Sequence, residues 1–122
     1  MELKLHKKED YHFVDKGWGS ETWIVNKEYC GKILHFDKGK KFSWHRHAIK
    51  DEFFYCVKGR LILRWGWDDD INKANVSELS QGDGFHIPTG LLHQVEAIEE
   101  SDIWEISTTH YDSDSERLIR GD

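Results

Sequence analysis

Residues 39–59 read GKKFSWHRHAIKDEFFYCVKG, and residues 82–93 read GDGFHIPTGLLH. The first stretch contains His-x-His with a glutamate five positions further on, and the second ends in a histidine. Glycines and a proline flank these residues, as is typical where β-strands turn. Imidazole and carboxylate groups both bind first-row metals. The four potential ligands are His45, His47, Glu52 and His93.

The alternation of side chains along a strand explains this spacing. His45 and His47 point to one face because successive side chains of a strand point to opposite faces. Residues 48–51 turn the chain, so that Glu52 opens the next strand at the same level. The turn at residues 88–90 directs His93 to the same point. We predict one divalent metal held by these four ligands, and the mixed nitrogen and oxygen set suits Zn, Mn, Fe, Ni or Co.

Short apolar runs, separated by glycine or charged clusters, fill most of the chain and indicate many short β-strands. The predicted strands cover residues 22–25, 30–36, 41–47, 52–57, 60–65, 76–79, 84–87, 94–97 and 103–108. Residues 68–75 are polar enough for a longer loop with one helical turn. We predict an all-β fold, a small antiparallel jelly-roll barrel. A β-sandwich without a central site is the alternative.

Length and charge limit the possible classes of protein. The 122 residues allow one domain with a core, and we predict a single domain over residues 1–122. The net charge of −6 argues against a nucleic-acid partner, which needs a basic surface. The charged start MELKLHKKED and the lack of a long apolar run argue against a signal peptide and a membrane span. Cys30 and Cys56 have no redox or metal-site spacing, so we predict reduced thiols in a cytoplasmic protein.

The prediction of oligomeric state rests on a row of aromatic side chains in the predicted strand at residues 41–47. If His45 and His47 face inward, alternation turns Phe42, Trp44 and Arg46 to the outer face of the same strand. Aromatic side chains on the outside of a small barrel need cover from terminal strands or from a second subunit. We predict a homodimer on this basis.

The two opening stretches also resemble the signature motifs of the cupin family, with motif 1 at residues 39–59 and motif 2 at residues 82–97. One position departs from the family pattern, since the second motif usually ends in Asn and Ala97 stands there. The resemblance implies a double-stranded β-helix, the jelly-roll barrel of cupins, with the metal inside it.

A finer resemblance extends over most of the chain. The segments WGSE at 18–21, YCGKI at 29–33, EIST at 105–108 and ERLIR at 116–120 are similar to the cupin-type phosphomannose isomerase domain. This resemblance implies a mannose-6-phosphate isomerase-like protein whose partner is a small-molecule sugar or sugar phosphate. The implied reaction is an aldose–ketose interconversion in which a divalent metal stabilises an enediolate.

Such a reaction also requires a general base or proton shuttle. Lys32 lies on a predicted strand, and Tyr55 would turn inward only if a bulge interrupts its strand. Arg64 could hold an anionic group, and His86 could line the mouth of the cavity. All four are candidate catalytic or substrate-binding residues, and the sequence does not choose among them.

Two other functions fit the same ligand set. A cupin-type non-haem iron dioxygenase would use similar ligands, and an aromatic cavity would suit an apolar or thiol substrate. A non-catalytic sugar- or metal-binding module would use the site without turnover, because a fold alone does not confer activity. The identity of the metal stays open as well, since several divalent ions fit such ligands.

Overall fold

The computed structural model describes residues 2–122 as two antiparallel β-sheets. One sheet has six strands in the order β1-β2-β3-β10-β5-β8, and the other has five in the order β11-β4-β9-β6-β7. The strands are β1 His12–Lys16, β2 Gly19–Asn26, β3 Tyr29–Phe36, β4 Trp44–His47, β5 Glu52–Lys58, β6 Arg60–Gly66, β7 Asn75–Ser80, β8 Gly84–Ile87, β9 Leu92–Ala97, β10 Ser101–Thr108 and β11 Ser115–Ile119. Short 3-10 turns cover Lys8–Asp10, Ile71–Lys73 and Asp112–Asp114.

The predicted all-β jelly roll is confirmed, and each of the nine predicted strands coincides with an observed one. The helical turn at Ile71–Lys73 lies inside the predicted loop. Two strands at the ends of the chain, β1 and β11, were not predicted. Both are edge strands with few buried residues, so their sequences HFVDK and SERLI lack a clear alternation of apolar and polar positions.

The inward-facing rows of side chains change from apolar to polar at one end of the barrel. On β3 the buried Leu34 and Phe36 continue in the same row to Lys32. On β9 the buried Val95 continues to His93. The same change leads from Phe54 to Glu52 on β5 and from Ile103 to Glu105 on β10. The apolar half therefore forms the core, and the polar half forms an interior site.

The predicted outward row on the strand that contains His45 is corrected by the structure. Phe42 faces the interior, with its ring centroid 4.9 Å from that of His45 and 6.0 Å from that of His93. Regular strand geometry begins only at Trp44, and the alternation that placed Phe42 outside does not extend back across residues 42–43.

Cover for this row comes from within the chain. Trp44 is fully buried, and its Nε1–H donates to the carbonyl oxygen of Asp69 at 2.9 Å. Arg46 pairs with Glu116 on β11, with 2.8 Å between Nε and Oε2. This row therefore gives no support for a second subunit, and the homodimer stays a prediction.

Within residues 2–122, no helix has the length and apolar character required to cross a membrane.

Candidate metal centre

Three histidines from neighbouring strands meet at the polar end of the barrel. His45 and His47 project from β4, and His93 projects from β9, with His45 and His93 directly opposite in the strand register. The ring centroids of His45 and His93 are 4.4 Å apart, and those of His45 and His47 are 5.0 Å apart. One nitrogen from each ring lies within 4.8 Å of the others, so these three buried residues could hold a metal ion. We call them the imidazole wall.

Local hydrogen bonds place His93 in this cluster. The turn after Pro88 contains Gly90 with φ +88°, a left-handed conformation that glycine adopts without strain. The N–H of Gly90 donates to the carbonyl oxygen of His47 at 2.8 Å, which ties the turn to β4 immediately before β9 begins. The predicted role of this turn in directing His93 is consistent with that contact.

Glu52 reaches the cluster from the opposite sheet. It begins β5, is buried, and has its Oε2 3.2 Å from Nε2 of His93 and 3.6 Å from Nε2 of His47. The structure therefore brings together all four residues that the sequence singled out, although only the histidines form a mutually close set of ligand atoms.

Backbone carbonyls orient two of the imidazoles. Nδ1 of His45 donates to the carbonyl oxygen of Ser43 at 2.8 Å, and Nδ1 of His93 donates to that of Leu91 at 2.9 Å. A carbonyl can only accept a hydrogen bond, so in a neutral ring the proton lies on Nδ1 and Nε2 keeps a lone pair. This is the arrangement in which histidine binds a metal through Nε2.

Two buried polar atoms in the cluster have no hydrogen-bond partner among the described residues. Oε2 of Glu52 and Nε2 of His93 are buried and form no hydrogen bond with any of residues 2–122. When the His93 ring is neutral, its Nε2 is an acceptor, as is Oε2 of Glu52. These two acceptors face each other at 3.2 Å. Buried acceptors without a partner are costly. A cation between them would satisfy both, so the residues present fit a bound metal.

The surroundings of these side chains favour the protonation states in which histidine and glutamate bind metals. Burial lowers the pKa of His45 well below its usual value, and burial lowers the pKa of His47 to about 4. Burial opposes ionisation of Glu52, but the ammonium group of Lys50, 3.1 Å from Oε1, holds its pKa well below the ordinary range. Two of the imidazoles are therefore neutral at pH 7 and the carboxylate is charged. These are the protonation states that metal binding requires.

The wall opposite the histidines carries buried charges. We call Lys32, Glu52 and Glu105 the charged wall, since they lie on β3, β5 and β10 of the six-stranded sheet. Lys50, in the loop between β4 and β5, connects two of its members, with Nζ 3.1 Å from Oε1 of Glu52 and 3.4 Å from Oε2 of Glu105. The same Nζ lies 3.2 Å from Nδ1 of His110.

Burial and neighbouring charges shift these groups in different directions. Burial raises the pKa of Glu105 to about 7, and the charge of Glu52 adds to the increase. Burial lowers the pKa of Lys32. Burial also opposes the charge of Lys50, but Glu105 and Glu52 together raise its pKa above the ordinary value. Glu105 is thus a buried carboxyl group that can gain or lose a proton near neutral pH.

The two walls enclose a cavity of about 350 Å³. That volume falls within the range of roughly 300–1,000 Å³ typical of small-molecule sites. Aromatic side chains contribute to its lining, including Trp23, whose Nε1–H donates to Oε1 of Glu21 at 2.9 Å. The cavity is also lined by Phe54, Asp112, Arg117, Arg120 and Asp122.

Of the four candidate catalytic residues, the structure brings only Lys32 to this cavity. Tyr55 is 41 % exposed on the outward row of β5. Arg64 pairs with Glu96 at 2.8 Å on β9, and His86 is exposed with its Nε2 2.7 Å from Asp51. These three side chains lie outside the residues that line the cavity, and we give them no role in it.

Sequence reasoning missed three residues of the site. Glu105 had a detectable signal, because it shares the inward row of a predicted strand with Ile103, and a charge in such a row is unusual. Lys50 lies in a loop, where no periodicity applies. Arg117 lies on β11, which was itself not predicted.

Several solved structures have a fold similar to that of this chain. Oxalate decarboxylase from Bacillus subtilis at pH 4.6 superposes with a TM-score of 0.76 at 16 % identity, covering 90 % of this chain and 30 % of that one. The capsular polysaccharide assembling protein CapF from Staphylococcus aureus gives a TM-score of 0.78 at 19 % identity, covering 89 % of this chain and 32 % of that one. The chain thus spans about a third of these two proteins.

KdgF from Halomonas sp. is similar over its whole length, with a TM-score of 0.75, 18 % identity, and coverage of 92 % of this chain and 98 % of that one. At these identities the likeness concerns the fold. No curated protein matches the sequence.

A sequence model of one protein family, described as the cupin domain, matches residues 32–104. The match covers more than half of the chain and includes the imidazole wall together with Lys32 and Glu52 of the charged wall, and it ends one residue before Glu105. This chain belongs to the cupin family.

Proposed function

We propose that this protein is a metal-dependent isomerase that interconverts aldose and ketose forms of a sugar or sugar phosphate. The proposed ligands of the divalent metal are His45, His47, Glu52 and His93. One observation carries the proposal, the buried approach of Oε2 of Glu52 to Nε2 of His93 at 3.2 Å, where two acceptors need a cation.

A metal bound by these residues would supply Lewis-acid polarisation of the substrate carbonyl. The remaining steps fall to side chains of this chain. An isomerisation moves a proton between adjacent carbons, so it needs a group that can both accept and return a proton near pH 7. Glu105, with its pKa raised to about 7, meets that requirement. Lys32 is placed on the same wall to bind a substrate oxygen.

The lining of the cavity supports a polar substrate. An apolar substrate, such as the dioxygenase alternative assumes, would leave the buried ammonium group of Lys32 without a hydrogen-bond partner. Trp23 and Phe54 also line the cavity, and such rings pack against the apolar faces of sugars while limiting access of water. One structurally similar protein, CapF, is described as assembling capsular polysaccharide, which agrees with a carbohydrate ligand.

Elemental analysis of protein purified without added metal tests the site. We expect about one equivalent of a divalent metal, lost in His47→Ala and retained in His35→Ala, a histidine that pairs with Asp102 outside the cavity. Replacing a side chain that only orients a ligand lowers metal affinity about 10–100-fold. Glu52→Gln, which alters a proposed ligand, is expected to lower it by about 100-fold or more. Equal metal content in wild type and His47→Ala contradicts the proposal.

The activity requires a separate assay. The metal-loaded protein is incubated with free and phosphorylated hexoses and pentoses, and the ketose and aldose products are separated. We expect turnover of at least one pair, abolished in His47→Ala. Binding of a sugar without turnover of any pair would favour the non-catalytic module. Oxygen consumption that depends on Fe(II) would favour the dioxygenase.

A further inference from the structure

The acidic side chains that line the cavity all have close partners. Glu52 and Glu105 share Lys50 at 3.1 and 3.4 Å. The others are Glu21, which accepts from Nε1 of Trp23 at 2.9 Å, Asp112, which lies 3.0 Å from Nε2 of His110, and Asp122, which accepts from the N–H of Lys41 at 2.9 Å. Their capacity to receive a hydrogen bond from a ligand is therefore partly used.

Several basic side chains in the same cavity lack such partners. Among residues 2–122, Arg117 and Arg120 form neither a side-chain hydrogen bond nor an ion pair, although both line the cavity. The side chain of Lys32 forms no hydrogen bond within that part of the chain, and its Nζ approaches Oε1 of Glu21 only to 3.9 Å. Its ammonium group lies 3.9 Å from the centroid of the Trp23 ring. The cavity thus contains cationic groups whose hydrogen-bond donors are free within the described part of the chain.

Strand register gives Arg117 a defined direction. β11 pairs with β4 so that Arg117 stands opposite His45 and Ser115 stands opposite His47. Residues directly opposite each other in an antiparallel pair point to the same face. Ser115 follows this rule, since its Oγ lies 3.4 Å from Nδ1 of His47. Arg117 therefore projects into the cavity beside the imidazole wall.

Lys32 approaches from the opposite side. It lies on β3 in the other sheet, and only 2 % of its surface is exposed. A buried ammonium group without a hydrogen bond is unfavourable, and a stacked indole ring offsets only part of that cost. An oxygen anion from a ligand would supply the missing hydrogen bonds.

We infer that the cavity recognises its substrate through an anionic oxygen group, a carboxylate or a phosphate, held by Arg117, Arg120 and Lys32. The inference rests on the proposed function and narrows its substrate class to acidic or phosphorylated sugars. Arginine suits this role because the planar guanidinium group donates two parallel hydrogen bonds to a carboxylate or phosphate.

Binding measurements on the full-length protein, as purified and again after treatment with a chelator, test the inference. Calorimetric titrations at pH 7 and low salt use D-glucuronate, D-glucose 6-phosphate, inorganic phosphate and D-glucose. We expect one of the two charged sugars to bind at least about tenfold more tightly than D-glucose, since hydrogen bonds to charged groups are the stronger ones. The preferred sugar distinguishes carboxylate from phosphate, and inorganic phosphate shows whether the anionic group binds without the sugar.

Variants assign the binding to these residues. Arg117→Gln and Arg120→Gln change exposed side chains and should fold normally, and each is expected to weaken binding of the preferred sugar at least about tenfold. Arg60→Gln is the matched control, because Arg60 is an exposed arginine that pairs with Glu78 outside the cavity. Lys32→Met should abolish the preference for the charged sugar. If Lys32→Met does not fold, the two arginine variants decide.

Three results overturn the inference: D-glucose binding as tightly as both charged sugars, none of the charged probes binding, or Arg117→Gln and Arg120→Gln both matching Arg60→Gln. The chelator-treated protein contains no metal, so its titration measures anion binding by the side chains alone. Failure of the metal or isomerase assay therefore remains distinguishable from failure of anion recognition.

Discussion

The imidazole wall and the charged wall face each other across one cavity, but they are built differently. The first places His45, His47 and His93 on two paired strands, and two of its rings are oriented by carbonyls only two residues away. The second draws its members from β3, β5 and β10, which meet only in the folded sheet. The orientation of these histidine rings is therefore set locally, whereas the members of the charged wall are brought together only by long-range strand pairing.

Lys50 is the residue through which the two walls are coupled. Its ammonium group neutralises Oε1 of Glu52 while Oε2 of the same carboxylate faces the imidazoles. It also lies 3.4 Å from Glu105. A change at Lys50 is thus expected to affect both the stability of the charged wall and the proton affinity of Glu105.

The largest expected effect on stability comes from Lys50→Met, which keeps the volume of the side chain but leaves two buried carboxylates without their cation. Removing one partner of a buried ion pair costs about 3–5 kcal/mol. We expect a loss of that size in the free energy of unfolding, measured with urea at pH 7 in metal-free protein. Lys73→Met is the control, since Lys73 is exposed and lies 3.7 Å from Asp68. Adding Glu105→Gln should restore part of the loss, and no recovery would place the cause elsewhere.

The next effect is a pH dependence that arises from the imidazole wall. The pKa of His47 falls from 6.5 to about 4 on folding, so between these values the unfolded chain binds a proton that the folded protein does not. Stability should fall as the pH falls from 6.5 to 4, by about 3 kcal/mol at 1.36 kcal/mol per pKa unit. Unfolding of metal-free protein is measured across this range.

Comparison of two variants isolates the contribution of His47. The free energy of unfolding should depend less steeply on pH in His47→Gln than in wild type, whereas in His35→Gln it should depend on pH as in wild type. Glu105 acts with the opposite sign, because its pKa is raised to about 7 and the folded protein holds an extra proton between pH 4.5 and 7. Glu105→Gln should therefore steepen the loss of stability on acidification. A flatter curve for Glu105→Gln would contradict the assignment of the two walls.

The smallest expected effect concerns β11, which carries Arg117 beside the imidazole wall. Arg46 pairs with Glu116 of β11 at 2.8 Å and with Asp69 at 3.0 Å, but these groups are partly or largely exposed. Exposed ion pairs contribute about 0–1 kcal/mol. Arg46→Ala should leave the urea midpoint of unfolding and the metal content close to those of wild type. A clear fall in the midpoint would mean that attachment of β11 is a major determinant of stability.

The strands that could be predicted from the sequence are those in which buried and exposed side chains alternate clearly. β5 is one of them, with buried and exposed residues alternating from Glu52 to Cys56, and its predicted bounds agree closely with the observed ones. β1 and β11 bury little and pair on one side only, so their sequences lack this pattern. Phe42 was placed on the wrong face because alternation was extended beyond the point where β4 begins.

The sequence alone determined the ligand types and placed His45 and His47 on one face with Glu52 close behind, because alternation and short turns act over a few residues. The approach of His93, 46 positions after His47, was decided by the pairing of β4 with β9. Which other groups share the cavity was decided by the tertiary structure. Lys32 and Glu105 are 73 positions apart yet stand opposite each other in the sheet. Arg117 enters through an edge strand near the end of the chain. Pairings between distant strands depend on the register of whole sheets, which no local pattern specifies.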